Sequence, residues 1–184
     1  MHILRYLLDL IPNFILSINF TKHNIFFIIS LIHLHKVVFI LKKHALISFK
    51  FLSDFISIDF LTINYNKRFC FLISLLSIFS NKRVFIKFLT SSMYLTSLTS
   101  YFKSAPWLER EIWDLSGIFF SNNSDLRRIL TDYGFQGYPL RKDFPVTGFV
   151  EFRYNDMLKR IISLDLSLVQ EFRNMEFLNP WRAV

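Results

Sequence analysis

The chain has 184 residues, of which 52% are hydrophobic and 23 are phenylalanine, and its formal net charge is +8. This length suffices for one domain with a hydrophobic core and an appendage. The mean hydropathy of +0.34 indicates either a membrane protein or a subunit buried among partners. The apolar runs are interrupted by His and Lys or reach about half the length of a spanning helix, which favours buried strands over membrane spans.

The cysteine and histidine content argues against a metal or iron–sulfur site. An iron–sulfur cluster takes about four thiolates, whereas Cys70 is the single cysteine. Because Cys70 lies in an apolar run, we interpret it as a small buried side chain. The histidines all lie in the first 44 residues, and the close pair His33 and His35 has no evident third ligand. Gly-rich phosphate loops and the common hydrolase motifs do not occur.

Positive charge is concentrated in the amino-terminal part. Residues 1–103 carry 12 Lys and Arg against 3 Asp and Glu, a net charge of +9, whereas residues 104–184 carry 10 against 11, a net charge of −1. This excess of positive charge is explained either by lysines that are solvated at the ends of helices and strands or by a polyanionic partner. A basic organellar RNA-binding or ribosomal protein is therefore an alternative function.

The elements of the first part predict an α+β domain. Residues 4–17 predict a helix weakened at Pro12, and their sequence does not indicate a signal peptide or a presequence. Residues 24–32 predict a strand, and three- and four-residue apolar spacing over 37–54 predicts an amphipathic helix. Runs rich in Ile, Phe, Tyr and Val predict strands at 56–65, 68–79 and 83–89. With a short helix at 94–102, they give a two-layer head domain with a mainly antiparallel sheet and helices on one side.

Residues 104–117 give the clearest helix signal. Ser104 is a candidate N-cap, Pro106 suits the first turn, and Gly117 suits the C-terminal stop. One apolar stripe is formed by Leu108, Ile112, Leu115 and Phe119.

The charged residues of this helix are better explained by packing than by catalysis. Glu109 and Glu111 are two residues apart and point to different faces, so they do not act on one substrate atom together. Arg110 and Asp114 are four residues apart and can form an ion pair. A stand-alone enzyme using these carboxylates lacks a nucleophile and a cofactor loop.

The chain changes character near residue 118. All four glycines lie at or after residue 117, which predicts regular elements before that point and a turn-rich path after it. We therefore divide the chain into a head domain, 1–118, and an extended partner-docking arm, 119–184. The arm is predicted to contain a helical turn at 124–130, an ordered loop at 133–145 and a hairpin of 150–154 with 160–163. Its aromatic residues need a surface on another protein.

Basic residues in the arm are interleaved with acidic ones, so no uniform positive field builds up for phosphate. Arg side chains suit carboxylates across a protein interface. The predicted interface residues are Glu109, Arg110, Glu111, Trp113, Asp114, Arg127, Arg128, Arg141, Lys142, Asp143, Phe144, Pro145, Arg153 and Trp181.

A long ordered string of residues carries a resemblance. It comprises WLEREIWDL at 107–115, GIFFSN at 117–122, DLRRILTDYGF at 125–135 and RKDFP at 141–145, and continues through Glu151, Arg153, Tyr154, Gln170, Glu171, Phe172 and Pro180-Trp181. The string closely resembles the 30-kilodalton subunit family of respiratory complex I, also called NADH dehydrogenase subunit 9 or NuoC. The resemblance is dense over 104–184, whereas residues 1–103 match in outline.

The resemblance implies a non-catalytic core subunit of the peripheral arm of NADH:ubiquinone oxidoreductase. It implies that the C-terminal arm lies on the 49-kilodalton quinone-module subunit and supports assembly of that module. It also implies that this chain holds no catalytic, cofactor or metal site, with FMN, iron–sulfur clusters and ubiquinone in other subunits. Mitochondrially encoded members face the matrix side of the inner membrane.

Three departures from the family pattern indicate altered packing. The family usually has Phe where Ser116 stands, His-Pro where Asn123-Ser124 stand, and His where Tyr138 stands. None of these positions is a cofactor ligand in the family.

Overall fold

The computed structural model describes residues 11–21, 25–46, 48–61 and 66–168. The chain separates into two compact units, the first ending at Lys142 and the second beginning at Asp143. No helix within these described ranges is long and apolar enough to cross a membrane.

The first unit is built on a five-stranded sheet in the order β1-β2-β5-β4-β3. The strands are β1 (Ile15–Phe20), β2 (Ile25–Ile29), β3 (Phe51–Asp59), β4 (Phe69–Ser77) and β5 (Lys82–Thr90). β2 and β5 are parallel, and the other neighbours are antiparallel. A turn over residues 78–81 joins β4 to β5, with Asn81 at a φ of 48°. The predicted strands at 68–79 and 83–89 are confirmed, and the one predicted at 24–32 is confirmed over Ile25–Ile29, followed by a 3-10 helix over Leu31–His33.

Two helices, α1 (Leu34–Lys43) and α2 (Ala105–Ser116), pack on one face of this sheet. Residues two apart along β4 face the helices, so Phe71 and Ile73 join Ile86 of β5 in the core. Val38 of α1 and Ile112 of α2 complete the same core. The predicted α+β class, with helices on one side of a mainly antiparallel sheet, is confirmed.

The helices predicted over residues 4–17 and 37–54 are wrong in part. Residues 15–17 begin β1, whereas residues 1–10 lie outside the described residues. α1 ends at Lys43, and β3 begins at Phe51. A β-bulge between Leu52 and Asp54 turns Leu52 and Phe55 inward at a three-residue spacing. In the sequence, this three-residue spacing of apolar residues resembles the spacing of an amphipathic helix.

The helix predicted at 94–102 and the helical turn predicted at 124–130 do not form. Residues 94–96 are instead β6 (Tyr94–Thr96), which pairs in parallel with β7 (Phe119–Ser121). The segment 124–130 is irregular because the amides of Ile129 and Leu130 donate to a side chain of α2 rather than to helix carbonyls.

Residues 119–142 lie in the first compact unit, although they were predicted from the sequence to belong to the arm. They stay there because β7 pairs with β6 and the chain after β7 is hydrogen-bonded to α2.

In the described part of the second unit, β8 (Val150–Asn155) and β9 (Arg160–Asp165) form a hairpin. The side chain of Asn155 accepts hydrogen bonds from the amides of Met157 and Leu158, at 2.9 and 3.1 Å. Lys159 closes the turn at a φ of 50°. The predicted hairpin is confirmed.

Candidate protein interface around helix α2

The ends of α2 lie where the sequence predicted, but their contacts differ in part. Ser104 precedes the first turn without a side-chain cap, because its hydroxyl donates to the carbonyl of Leu52 at 3.1 Å. Gly117 ends the helix at a φ of 72°, a conformation that favours glycine. A side chain at Gly117 would also collide with Tyr138 and Arg141, which pack directly against it. Two segments distant in sequence therefore meet at the C-terminus of α2.

Glu109 is completely buried and joins three parts of the chain. Its carboxylate accepts hydrogen bonds from the Ser97 hydroxyl at 2.7 Å, the Leu98 amide at 2.7 Å and the Asn123 side-chain amide at 2.8 Å. Asn123, one of the departures from the family pattern, thus supplies a donor to this buried carboxylate. Glu111 is exposed, so the two glutamates do lie on different faces.

Asp114 accepts five hydrogen bonds from the segment 128–131. Its Oδ2 accepts the amides of Ile129, Leu130 and Thr131 at 3.1, 2.6 and 2.9 Å. Its Oδ1 accepts Arg128 Nη1 at 3.1 Å and the Thr131 hydroxyl at 2.6 Å. Burial alone raises the pKa of Asp114, but the hydrogen bonds from Thr131, Leu130 and Ile129 outweigh it and lower the pKa from 3.8 to about 2. Asp114 is therefore a fixed anion that shapes the segment 128–131.

The ion pair predicted between Arg110 and Asp114 is wrong. Arg110 Nε donates to the carbonyl of Arg127 at 3.2 Å, and its guanidinium lies 4.9 Å from the ring centroid of Trp107. Its Nη1 is 3.9 Å from a carboxylate oxygen of Asp125. The i,i+4 pair does not form because Asp114 faces the segment 128–131, which supplies its donors.

Arg141 binds the C-terminus of α2. Its Nε donates to the carbonyl of Ser116 at 2.7 Å and its Nη2 to the carbonyl of Gly117 at 3.1 Å. A cation at these carbonyls complements the negative end of the helix dipole. The guanidinium groups of Arg141 and Arg128 lie 4.5 and 5.0 Å from the ring centroid of Tyr138. Tyr138, another departure from the family pattern, thus packs against two cations.

The remaining departure, Ser116, bridges α2 to the sheet. Its hydroxyl is 2.7 Å from that of Ser57 on β3, and the residue is buried. The family's usual Phe at this position does not fit that contact without movement of β3 or α2.

The end of the first unit is held at the end of β3. The Lys142 amide donates to Asp59 at 3.0 Å, and Arg68 pairs with the same carboxylate at 2.7 Å. Burial raises the pKa of Asp59, but the bonds from Arg68, Lys142 and Leu61 outweigh it, so the pKa lies below its usual value. This contact fixes where the chain leaves the first unit.

The other predicted interface residues are distributed more widely. Trp113 lies 5.7 Å from the Tyr138 ring, and Arg127 forms an exposed pair with Asp125 at 3.1 Å. In the second unit, the ring of Phe144 contacts that of Phe149 edge-on at 5.3 Å, and the carbonyl of Pro145 accepts the Gly148 amide at 3.1 Å. The exposed residues there include Asp143 and Arg153, whereas Trp181 lies outside the described residues.

The partners of the buried carboxylates were not predicted from the sequence. Ser97, Asn123 and Thr131 lie 12 to 17 residues from the carboxylates that they bind. No helical or strand periodicity links positions at such separations. The ion pair between Arg68 and Asp59 was likewise not predictable, because it depends on the register between β3 and β4.

The possible metal ligands do not converge. His33 contacts the ring of Phe14 at 4.9 Å, whereas His35 hydrogen-bonds with Thr96. In the described part of the chain, no three His, Cys, Asp or Glu side chains are grouped to hold a metal ion. Burial raises the pKa of the Cys70 thiol, with a smaller opposing effect from Lys87, so the thiol stays protonated at neutral pH.

Comparison with known proteins identifies the family. Residues 28–150 match the family described as respiratory-chain NADH dehydrogenase, 30 Kd subunit. The chain is 41% identical over 179 residues to NADH-ubiquinone oxidoreductase subunit 9 of Reclinomonas americana, covering 97% of this chain and 87% of that protein. It is 44% identical over 163 residues to the protein of the same name from Acanthamoeba castellanii, covering 89% of this chain and 82% of that protein.

Two solved structures share the fold. The trypsin-resistant fragment (1–134) of Nqo5 superposes with a TM-score of 0.59 at 25% identity, covering 68% of this chain and 100% of the fragment. A chain of an archaeal membrane-bound sulfane sulfur reductase gives a TM-score of 0.65 at 17% identity, covering 78% of this chain and 84% of that one. With the family match and the 41% identity over nearly its full length, the chain belongs to the 30-kilodalton subunit family of the respiratory-chain NADH dehydrogenase, complex I.

Proposed function

We propose that this chain holds the quinone-reducing module of complex I together without taking part in electron transfer. As a family member it is a subunit of NADH:quinone oxidoreductase, in the peripheral arm. The proposal adds that residues 143–184 bind the 49-kilodalton subunit and that the 122–142 segment presents a rigid surface to a partner.

The observation that carries the proposal is the apolar surface of the second unit. The exposed fractions of Phe149, Phe152, Met157 and Ile161 are 60%, 67%, 95% and 69%. An isolated two-stranded hairpin is marginally stable in water, and a contiguous exposed apolar surface marks a protein-binding site. The second unit therefore needs a partner that covers it.

The buried carboxylates of α2 support a structural role. The carboxylate oxygens of Glu109 and Asp114 accept hydrogen bonds from donors within this chain, and both residues are completely buried. A carboxylate held in this way positions the backbone rather than transferring protons to a substrate. The segment after β7 thereby reaches a partner in one conformation, which reduces the entropy lost on binding.

In this proposal, FMN, the iron–sulfur clusters and ubiquinone are bound by other subunits. The relatives include NADH-ubiquinone oxidoreductase subunit 9 of Reclinomonas americana, so we propose the matrix side of the mitochondrial inner membrane as the location.

Affinity purification of the tagged full-length chain from its source organelle tests the proposal. The expected result is copurification with flavin, iron–sulfur clusters and the 49-kilodalton subunit, with carbodiimide cross-links from residues 143–168 to that subunit. Copurification of ribosomal RNA without flavin, or cross-links from the second unit to other subunits alone, would contradict it.

A further inference from the structure

A basic cleft lies where α1 ends and β3 begins. Its volume is about 510 Å³, and its lining includes Lys42, Lys43, His44, Lys50 and Phe79. The β4–β5 turn forms one side, where Ile78 and Phe79 have exposed fractions of 64% and 85%. Several cations and an exposed aromatic ring therefore surround one concave surface.

Little negative charge opposes these cations. Residues 10–108 contain only two acidic residues, Asp54 and Asp59. Asp59 lies at the other end of β3 and pairs with Arg68 at 2.7 Å, whereas Asp54 accepts the amide of Phe55 at 2.8 Å. The sheet adds Lys82 as a further cation. Lys82 of β5 pairs with Ser77 of β4, and Phe51 of β3 pairs with the neighbouring Leu76 of β4. Lys82 therefore lies at the same end of the sheet as Lys50, which precedes Phe51. The described elements at this end, α1 and β3 to β5, thus carry more positive than negative charge.

The cations of the cleft are held to different degrees. Lys42 donates to the carbonyl of Tyr101 and lies 5.1 Å from the ring centroid of Phe102, so its side chain is fixed. Lys43 and Lys50 are exposed, and neither forms an ion pair with an acidic residue in the ranges that the structure describes. These two lysines are available to bind anionic groups from outside.

We infer that this cleft binds an acidic segment of another protein subunit, whose carboxylates meet Lys43 and Lys50 and whose apolar side chain packs on Phe79. Charge complementarity is the principal argument, and the exposed ring supplies the apolar contact that an interface uses beside its charges. The contact is separate from the binding of the second unit to the 49-kilodalton subunit.

The cleft favours carboxylates over phosphate. Phosphate sites commonly use the amide groups at a helix N-terminus, or the paired donors of Arg. Here the helix end is the C-terminus of α1, where the carbonyl dipoles oppose a doubly charged group, and the cations are lysines. Carboxylates spread along a peptide place single charges at separate lysines, which suits this arrangement.

Labelling of the intact complex tests the inference without any substitution. Lysines are acetylated with a water-soluble reagent in the intact complex and again after dissociation in urea, and each rate is corrected by that of the same lysine in an unfolded peptide. We expect acetylation of Lys43 and Lys50 to be about tenfold slower in the complex, which corresponds to a tenfold ratio of occupied to free cleft. A carbodiimide should join them to Asp or Glu of one other subunit. Equal labelling rates in the two states would overturn the inference.

The same experiment identifies other occupants. Protection that disappears on removal of lipid, without a protein cross-link, would mean that the cleft binds a lipid headgroup. Protection that disappears on ribonuclease treatment would mean nucleic acid. Either result overturns the assignment to a protein segment.

Charge reversal provides the second test. Lys50→Glu places a like charge beside the acidic segment, and we expect about tenfold faster loss of the cross-linked subunit at physiological ionic strength. Lys67→Glu is the matched control, because Lys67 is exposed, precedes β4 and lies at the opposite end of the sheet. We expect no change for Lys67→Glu. No change in Lys50→Glu, or an equal change in both variants, would contradict the inference.

Discussion

Replacement of Asp114 by Asn should release the segment 128–131 from α2. The carboxylate accepts three backbone amides on one oxygen, and Arg128 and the Thr131 hydroxyl on the other. Asn keeps one oxygen for the amides but turns an NH2 group towards Arg128. The variant thus loses a charge-assisted hydrogen bond and leaves two donors, the Asn NH2 group and the Arg128 guanidinium, facing each other. Together these changes should cost about 2–4 kcal/mol of local stability.

Hydrogen exchange of the Ile129, Leu130 and Thr131 amides measures this loss directly, because their exchange requires local opening. A loss of about 2–4 kcal/mol corresponds to roughly 30- to 1000-fold faster exchange in the intact complex. Glu111→Gln is the matched control, because it removes an exposed carboxylate from the same helix. Exchange in Asp114→Asn within about threefold of wild type, a change of well under 1 kcal/mol, would refute the account of this carboxylate.

The pKa of Asp114 adds a pH dependence with a defined sign. Because the pKa falls from 3.8 to about 2 on folding, the ionised group stabilises the folded state fully above about pH 4. This stabilisation, about 2 kcal/mol, is lost as the pH falls through the interval from 3.8 to about 2. Pepsin should therefore cleave the 128–131 segment of wild type increasingly over that interval. In Asp114→Asn, this pH-dependent increase in cleavage should be absent. An identical pH profile of cleavage in the two proteins would contradict the prediction.

The remaining predictions concern Arg110, the cofactors and the second unit. Arg110→Ala should cost about 1.5–3 kcal/mol through loss of the bond to the Arg127 carbonyl, seen as lower yield of assembled complex; normal yield would contradict a structural role for this contact. The purified, refolded chain should hold no flavin, iron or labile sulfide, and stoichiometric iron in elemental analysis would refute this expectation. Proteases should cleave residues 143–168 rapidly in the isolated chain and slowly in the complex, because the apolar hairpin is covered there; equal rates would argue against a bound second unit.

Local signals in the sequence predicted the elements that depend on local chemistry. α2 was recognised because Pro106 and Gly117 mark its ends, and both roles are local. β4 and β5 were recognised because buried central strands read as continuous apolar runs. Failures occurred where tertiary contacts decide the conformation. The bulge after Leu52 gave a helical spacing to a strand, and β6 exists because β7 pairs with it 25 residues later.

The candidate interface shows the same division. Glu109, Asp114 and Arg128 were predicted from their charge to lie at an interface with a partner subunit, and that stays a prediction, but the sequence suggested the wrong partner within the chain for Asp114. A local i,i+4 ion pair contributes about 0.5 kcal/mol or less, whereas a buried carboxylate with several donors is worth far more. The segment 128–131 supplies those donors, and its approach to α2 is a property of the folded chain. Sequence periodicity carries no information about that approach.

The central claim is that this chain supports assembly of complex I without shaping its chemistry, and Phe144→Ala tests it most directly. Truncation of an aromatic side chain at the centre of an interface commonly costs about 2 kcal/mol or more, so fewer complexes should assemble. The measurement is the rate of NADH:ubiquinone oxidoreduction divided by the flavin content of the purified complex. We predict a lower yield of complex with an unchanged ratio. A large fall in the ratio with a normal yield would show that this segment acts on quinone chemistry and would contradict the claim.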